Sequence, residues 1–328
     1  MRVLITGGDG MLGSSICREA LAQGYEVRVM VLPGRVVSVL EGLDVSYCYG
    51  NLLDPESLYN AVEGCDYVIN VAASTQIWPR RSELIWKINY ESVEHLVEAC
   101  MRFNIQRFVQ IGTANSFGHG TVSEPGNEQT PFNGAAYKMD YVDSKYKAQT
   151  YLIDQCNAGK ISAVIINPTF MIGPFDSGPS SGKMLMALFK GSLPGYTSGM
   201  KNFVASKDVA VAAVNALVMG KSGSCYIAGN ENLTFEQFFT KACAVRGIPF
   251  TLKQIPNFLI YSVGFFSSLF ARLSGKAPKL GYHMAKQATM EQCYSPQKAR
   301  EELNMPATPI EEAIQSCITW WQENNYIS

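Results

Sequence analysis

The sequence has little of what metal centres and disulfide scaffolds are built from. It contains three histidines among 328 residues, and its nine cysteines are scattered without a regular spacing. Because no cluster of Cys and His is close in sequence, we expect no metal site. An odd number of cysteines in a chain of this size is typical of free thiols in a reducing compartment. The composition therefore predicts a cytoplasmic protein.

An excess of charge of either sign is also missing. Lys and Arg together number 27 and Asp and Glu 28, a net charge of -1, so we expect no nucleic-acid partner. The N-terminus runs directly into a strand pattern, which leaves no room for a signal peptide. The longest apolar run, residues 258–273, is interrupted by three serines and Arg272 and is shorter than the ~20 residues of a membrane span. We predict a buried or lid-forming helix there and no integral membrane span.

Apolar strand patterns alternate with helical patterns through the first half of the chain. This alternation predicts right-handed βαβ units and an α/β fold, a Rossmann-type, doubly wound parallel sheet. Asp54 before Pro55 is a typical helix start. The predicted strands are residues 3–5, 27–31, 45–48, 67–71, 108–111 and 163–166, and the predicted helices are residues 11–22, 55–62, 84–103 and 141–156.

The pattern changes near Pro168. Residues 173–201 are rich in Gly, Pro and Ser, a strand-plus-helix pattern returns at 203–217, and the rest is strongly apolar and helical. We therefore predict two interleaved parts. Residues 1–168 and about 200–222 form the dinucleotide-binding domain. Residues of about 169–199 and 223–328 form a smaller, mostly helical substrate-binding lobe.

A glycine-rich turn, TGGDGMLG at residues 6–13, joins the first strand to the first helix. Gly7 permits the tight turn, Gly10 lets the backbone approach a pyrophosphate, and Gly13 allows the helix to pack close to the sheet. The first N–H groups of the helix, at Met11 and Leu12, favour the phosphates. This turn predicts a bound nicotinamide dinucleotide.

The end of the second strand decides between NAD and NADP. NAD sites usually place a carboxylate there for the ribose 2′-OH, but residues 31–35 read VLPGR. A strand end without a carboxylate does not repel a 2′-phosphate, and Arg35 is able to pair with it. We predict NADP in preference to NAD. The alternative, that Arg35 is a solvated loop residue, stays open.

A hydroxyl residue, a tyrosine and a lysine form the candidate catalytic set. Tyr141 and Lys145 are four residues apart and so share one helix face. An ammonium group one turn away would lower the pKa of the phenol and make it a usable acid. Thr113 ends a predicted strand, where its hydroxyl would hold a carbonyl oxygen beside Tyr141.

With these motifs, the chain resembles the extended short-chain dehydrogenases/reductases of the NAD-dependent epimerase/dehydratase superfamily, and within them the dihydroflavonol 4-reductase-like branch. The resemblance implies a role for Asn89 in anchoring a proton-relay water. It also implies dimerisation through helices 84–103 and 141–156, hence a homodimer. The further residues that it places at the cofactor are Asn51, Leu52, Val71, Ala72, Ala73, Pro168 and Thr169.

Several activities share this cofactor and this catalytic set. Dehydratases of this family carry Asp-Glu after the catalytic Thr, whereas Thr113 is followed by Ala114 and Asn115, which argues against dehydration. The apolar substrate lobe favours an NADP(H)-dependent oxidoreductase that transfers hydride to or from the carbonyl or alcohol of a small apolar molecule. A nucleotide-sugar epimerase with tightly held NAD, and a non-catalytic NADP-binding sensor or scaffold, remain the alternatives.

Overall fold

Seven parallel strands form the central sheet, in the order β3-β2-β1-β4-β5-β6-β9. The computed structural model describes residues 1–35, 37–278 and 280–327. Strand β1 lies in the middle, with Val3 opposite Val27 on one side and Tyr67 on the other. The strands are β1 (Arg2–Thr6), β2 (Glu26–Val31), β3 (Val45–Tyr49), β4 (Tyr67–Asn70), β5 (Arg107–Ile111), β6 (Ala163–Pro168) and β9 (Cys225–Ala228).

Helices cover both faces of this sheet because the strands between them are apolar on both sides. Helices α1 and α7 lie over one face and α2, α4 and α5 over the other. Asp54 accepts a hydrogen bond from the backbone N–H of Glu56, which confirms it as the N-cap of α2. The helices of this half are α1 (Met11–Ala22), α2 (Pro55–Val62), α3 (Glu83–Trp86), α4 (Ser92–Arg102), α5 (Asp140–Asn157) and α7 (Ser206–Asn215).

A smaller sheet and most of the remaining helices form the C-terminal lobe. Strand β8 (Met200–Ala205) is its centre, and it pairs with three short strands. These are β7 (Phe170–Ile172), β10 (Glu231–Thr234) and β11 (Glu291–Gln292). The helices are α6 (Gly182–Phe189), α8 (Phe235–Arg246), α9 (Asn257–Ser274), α10 (Tyr282–Gln287), α11 (Gln297–Leu303) and α12 (Ile310–Glu323).

The structure differs from the predicted division of the chain at two places. Strand β9 pairs with β6 and completes the large sheet, although residues from 223 onward were expected in the substrate lobe. Strand β8 belongs to the small sheet, although residues 200–222 were expected with the large one. Both strands are short and almost fully buried, so their sequences carry no alternation that would tell which sheet they join.

Two helices also differ from expectation. The predicted helix 84–103 contains a π-helical turn at Lys87–Glu91, between α3 and α4. The run 258–273 does form a helix, α9, but of the two predicted forms, buried or lid-forming, the buried one is wrong, because most of its large apolar side chains face solvent. In the described part of the chain, no helix combines the length and the apolarity that crossing a membrane requires.

Candidate functional site

The glycine turn lies between β1 and α1, at the carboxyl edge of the sheet where the strand order reverses. Gly7 has a φ of +66°, and the N–H of Gly10 donates to its carbonyl at 3.2 Å. A Cβ on Gly13 would lie 2.0 Å from the carbonyl oxygen of Gly7. Glycine is therefore required at position 7 by the backbone conformation and at position 13 by the close approach of helix and turn.

The first turn of α1 fits the phosphates of a dinucleotide. No side chain caps this helix, and no acidic residue lies in its first turn, so its N–H groups remain available to an anion. A Cβ built on Gly10 would meet only the Gly7 carbonyl, at 3.6 Å, which leaves the approach to the turn open. The residues expected at the pyrophosphate, including Met11 and Leu12, are thus together in a suitable cradle.

Arg35 lies beside this cradle. Its Nε is 3.4 Å from a carboxylate oxygen of Asp9, which belongs to the glycine turn, and its side chain is mostly exposed. Leu32, at the end of β2, is half exposed. Arg35 is therefore near the turn, as expected for a residue that contacts the cofactor, but it is held there by an acidic neighbour.

Three other residues expected at the cofactor, Val71, Ala72 and Ala73, follow β4 and lie next to the glycine turn. The N–H groups of Val71 and Ala72 each donate to the Thr6 hydroxyl at 3.2 Å, and Ala73 follows them. A Cβ on Gly7 would lie 2.7 Å from the Ala72 backbone. This close packing places the end of β4 directly under the glycine turn.

Asn51 and Leu52 lie in the turn between β3 and α2. The Asn51 side-chain oxygen accepts from the N–H of Leu53 at 3.0 Å, and Leu52 packs partly into the core. The carboxamide of Asn51 therefore stabilises its own turn.

The candidate catalytic residues converge at the ends of β5 and α5. The Tyr141 phenol lies beside the Thr113 hydroxyl in the lining of one cavity. Lys145 is buried on the same helix, and its Nζ donates to the carbonyl of Ile111 at 2.9 Å. The structure thus brings Thr113 close to Tyr141 and Lys145, although more than twenty residues separate Thr113 from Tyr141 in the sequence.

The pKa values at this site are set by burial. Burial raises the pKa of Tyr141 above its ordinary value, and the hydrogen bond with Thr113 offsets only part of this. Burial lowers the pKa of Lys145 to about 8. The ammonium group of Lys145 lies against the Ile111 carbonyl, and its lowering effect on the pKa of Tyr141 stays a prediction.

Asn89 is at the centre of the π-helical turn and is almost fully buried. Its side-chain oxygen accepts from the N–H of Ser74, and its Nδ2 donates to the Ser74 carbonyl and to the hydroxyl of Ser144. Ser144 is one turn along α5 from Tyr141. Asn89 therefore joins the loop after β4 to the helix that carries the phenol.

A buried asparagine that the sequence reasoning left out of the site supports Thr113. Asn167 donates from Nδ2 to the Thr113 carbonyl at 3.0 Å and to Gln149 at 2.8 Å. Gln149 is on α5, so one amide ties the ends of β5, β6 and α5. No local pattern in the sequence distinguishes Asn167.

A cavity of about 170 Å³ opens in front of Thr113 and Tyr141. Pro168 and Thr169 form one wall, as expected for residues near a nicotinamide. Lys201 forms another wall: its Nζ donates to the Gln292 side chain at 2.8 Å and lies 5.6 Å from the centre of the Phe170 ring. The remaining lining residues are Ala114, Asn115, Phe170, Asn202, Gln292 and Tyr294.

Most residues of the cavity wall that contains Lys201 and Gln292 were not predicted from the sequence. Gln292 comes from β11 and Lys201 from β8, and 91 residues separate them. Their pairing exists only because β11 and β8 lie side by side. No spacing in the sequence signals it.

Comparisons with known proteins agree with this architecture. A "Putative dihydroflavonol 4-reductase" of Synechocystis is 26% identical over 98% of this chain and 95% of its own length. A 2-alkyl-3-oxoalkanoate reductase of Shewanella oneidensis is 26% identical over 94% of this chain and 84% of its own. The crystal structure of a UDP-glucose 4-epimerase from Thermotoga maritima superposes with a TM-score of 0.79 at 18% identity, covering 99% of this chain and all of that one, and shares the fold.

These similarities, together with the Rossmann-type sheet, identify an enzyme of the NAD(P)-dependent short-chain dehydrogenase/reductase type. The family model described as the NAD dependent epimerase/dehydratase family matches residues 3–229. That range contains the glycine turn, Thr113, Tyr141 and Lys145. The chain therefore belongs to the NAD-dependent epimerase/dehydratase family.

Proposed function

We propose that this protein is an NADP(H)-dependent oxidoreductase that transfers hydride between the cofactor and the carbonyl or alcohol of a small, apolar substrate. The observation that carries the proposal is that the Tyr141 phenol and the Thr113 hydroxyl lie beside each other in the lining of one cavity. Two neighbouring hydroxyl groups beside open space are arranged to hold one carbonyl oxygen. The two curated relatives, both named as reductases, support the same reaction class.

The chain's own residues divide the chemistry among them. Tyr141 gives its phenolic proton to the carbonyl oxygen as the carbonyl carbon accepts hydride, and it takes the proton back in the reverse direction. Thr113 holds the oxygen. Lys145, whose pKa burial lowers to about 8, supplies a cation one helical turn from Tyr141, and a proton from solvent restores the phenol after each reduction. Asn89 positions α5 through Ser144.

The cofactor would lie across the carboxyl edge of the sheet and would supply the hydride. The glycine turn would hold its pyrophosphate by backbone N–H groups. Asn51 and Leu52 would flank its adenine end, and Pro168 and Thr169 its nicotinamide end. Arg35 would pair with a 2′-phosphate if it exchanges Asp9 for that anion, which is the basis for preferring NADP.

Replacement of the phenol tests the mechanism. We expect Tyr141→Phe to lower kcat by about 10²–10⁴-fold, measured by NADPH absorbance with a panel of ketones and aldehydes. The thermal shift caused by NADPH should stay unchanged, because the glycine turn is untouched. Tyr137→Phe, on the preceding 3₁₀ turn and outside the cavity lining, is the matched control and should leave kcat unchanged.

Two results would contradict the proposal. If Tyr141→Phe keeps wild-type turnover, the proton comes from another group. If the purified protein carries tightly bound NAD by mass spectrometry and reduces no carbonyl compound, the nucleotide-sugar epimerase is the better description.

A further inference from the structure

The catalytic cavity contains a cation without a charged partner. Among the described residues, no ion pair engages Lys201, and no Asp or Glu lines the cavity. Its Nζ has one neutral acceptor, the Gln292 side chain. A half-buried ammonium group with one neutral acceptor keeps unused donors that face the cavity.

The place of Lys201 limits what those donors can bind. Thr113, Tyr141 and Lys201 line the same cavity of about 170 Å³, so a group held by Lys201 lies within a few bonds of the carbonyl held by Tyr141. An ammonium group is a point charge suited to one carboxylate. The ring of Phe170 beside it suits the apolar part of the same molecule.

We propose that Lys201 binds the carboxylate of a 3-oxo or 3-hydroxy acid, whose carbonyl or hydroxyl group is the one that reacts at Tyr141. This inference rests on the proposed function and names its substrate class. In such an acid one carbon separates the carboxylate from the reacting carbon, so a single cavity of about 170 Å³ that Lys201 and Tyr141 both line would receive both groups. Burial also lowers the pKa of Lys201 to about 8, and a bound carboxylate would restore its charge.

The experiment compares one acid with its neutral ester. Freshly prepared 3-oxodecanoate and methyl 3-oxodecanoate differ only in the charge that Lys201 would bind. We expect wild type to prefer the acid, and Lys201→Met to raise KM for the acid by about tenfold or more while KM for the ester changes little. Lys201→Arg should restore part of the acid preference, which a purely structural role of Lys201 would not explain.

The outcomes are distinguishable. Equal kcat/KM for acid and ester in wild type, or an equal loss of both in Lys201→Met, would overturn the carboxylate site while leaving the reductase intact. If neither compound nor any other ketone consumes NADPH, the proposed function itself fails.

A separate observation concerns α9, whose apolar face points away from the protein. At 100° per residue, its exposed apolar side chains fall within an arc of about 160°, and the opposite side carries Ile260, Gly264 and Ala271, which are buried. Phe266 and Phe270 are each 66% exposed and Leu273 is 81% exposed. The other members of this face are Phe258, Leu259, Val263, Phe265 and Leu269.

Charge around this face has one sign. From α9 to the end of α10, residues 257–287, the chain has four Lys and Arg and no Asp or Glu, although its overall net charge is -1. Within the described residues, Arg272, Lys276 and Lys286 form no ion pair and are exposed. His283 on α10 has its pKa lowered by burial and by the neighbouring cations Arg80, Lys286 and Lys138.

An apolar helical face with aromatic residues and a basic surround matches the interface of an anionic bilayer. We infer that α9, lying flat, docks this protein on an anionic membrane surface. The small residues on its inner side fasten the helix to α10, where Gly264 lies against Ala285 and Tyr282. The large residues are left free to enter the lipid.

Vesicle flotation of the full chain tests this. We expect binding to phosphatidylcholine vesicles that contain phosphatidylglycerol, weaker binding at high salt, and little binding to phosphatidylcholine alone. Phe266→Ser with Phe270→Ser should lower the partition coefficient at least about tenfold. The matched control, Val122→Ser with Val218→Ser, removes exposed apolar side chains elsewhere and should not change it.

Absence of binding to anionic vesicles would overturn the inference, as would binding that survives the double substitution. A dimer in solution that Phe266→Ser with Phe270→Ser turns into a monomer would show that a second copy covers the face, and would overturn it as well.

Discussion

The nucleotide half and the substrate half of this chain carry their chemistry in different ways. In the nucleotide half, Gly7, Gly10 and Gly13 act through the backbone, within one strand–turn–helix. In the substrate half, Lys201 and Gln292 act through side chains that two separate strands bring together. A site formed by the backbone can be predicted from the spacing of a few residues. A site formed by side chains that are distant in sequence cannot be predicted in this way, so each of its contacts needs its own test.

The largest expected effect is in the nucleotide half. Gly13→Ala places a Cβ 2.0 Å from the Gly7 carbonyl oxygen, so the turn must move. We expect a loss of about 1–3 kcal/mol of stability and a reduced thermal shift with NADPH. Gly178→Ala, where a Cβ meets nothing within 4 Å, should lie within about 0.5 kcal/mol of wild type. Equal stability of the two variants would show that the backbone cradle is not close-packed.

Replacement of Asn89 tests whether a buried side chain of the nucleotide half contributes as much to stability as the glycine turn does. Asn89→Ala removes the side-chain partner of the Ser74 N–H and carbonyl and leaves the Ser144 hydroxyl with the Tyr141 carbonyl alone, which should cost about 1–3 kcal/mol and lower kcat as α5 moves. Asn60→Ala, at an exposed position of α2, should change the unfolding temperature little. A normal melting temperature with a lost kcat would instead assign Asn89 a direct part in proton transfer.

In the substrate half, the pH dependence of KM tests the role of Lys201. Lys201 has a pKa lowered to about 8, so it loses its proton as the pH rises through that value. KM for 3-oxodecanoate should be constant below it and rise toward tenfold per pH unit above it. The other titratable groups nearby are His119, Tyr141 and Tyr294.

Lys145 also has a pKa of about 8, and its deprotonation would affect the acid and the ester alike. The ratio of the two kcat/KM values therefore isolates Lys201. A ratio that does not depend on pH would contradict the carboxylate site.

The smallest effect is expected at the edge of the nucleotide half. Arg35 is mostly exposed and 3.4 Å from Asp9, and an exposed charge of this kind contributes little. Arg35→Ala should lower kcat/KM for NADPH by about two- to tenfold and leave that for NADH unchanged. A wild-type preference for NADH would reject the assignment of NADP.

Strands and helices of the first half were predictable because their patterns are local. The parallel strands from β1 to β6 and the helices α1, α2 and α5 lie where the alternation of apolar segments places them, to within one or two residues. The position of Tyr141 and Lys145 on one face of α5 was also predictable, because it follows from their spacing of four residues. The homodimer stays a prediction, since the apolar residues of α4 and α5 that are buried already pack on the sheet.

By itself, the sequence determined the dinucleotide turn, the family and the set of candidate catalytic residues, since each depends on residues near one another or on a motif at fixed spacing. Only the tertiary structure decided that β9 joins the large sheet, that Lys145 lies against Ile111, and that Lys201 faces the cavity of Tyr141. It also decided that α9 turns its apolar face outward. These features depend on contacts between segments that are distant in sequence. The sequence of a short buried strand or of an apolar helix does not indicate which sheet, helix or solvent surface it will contact.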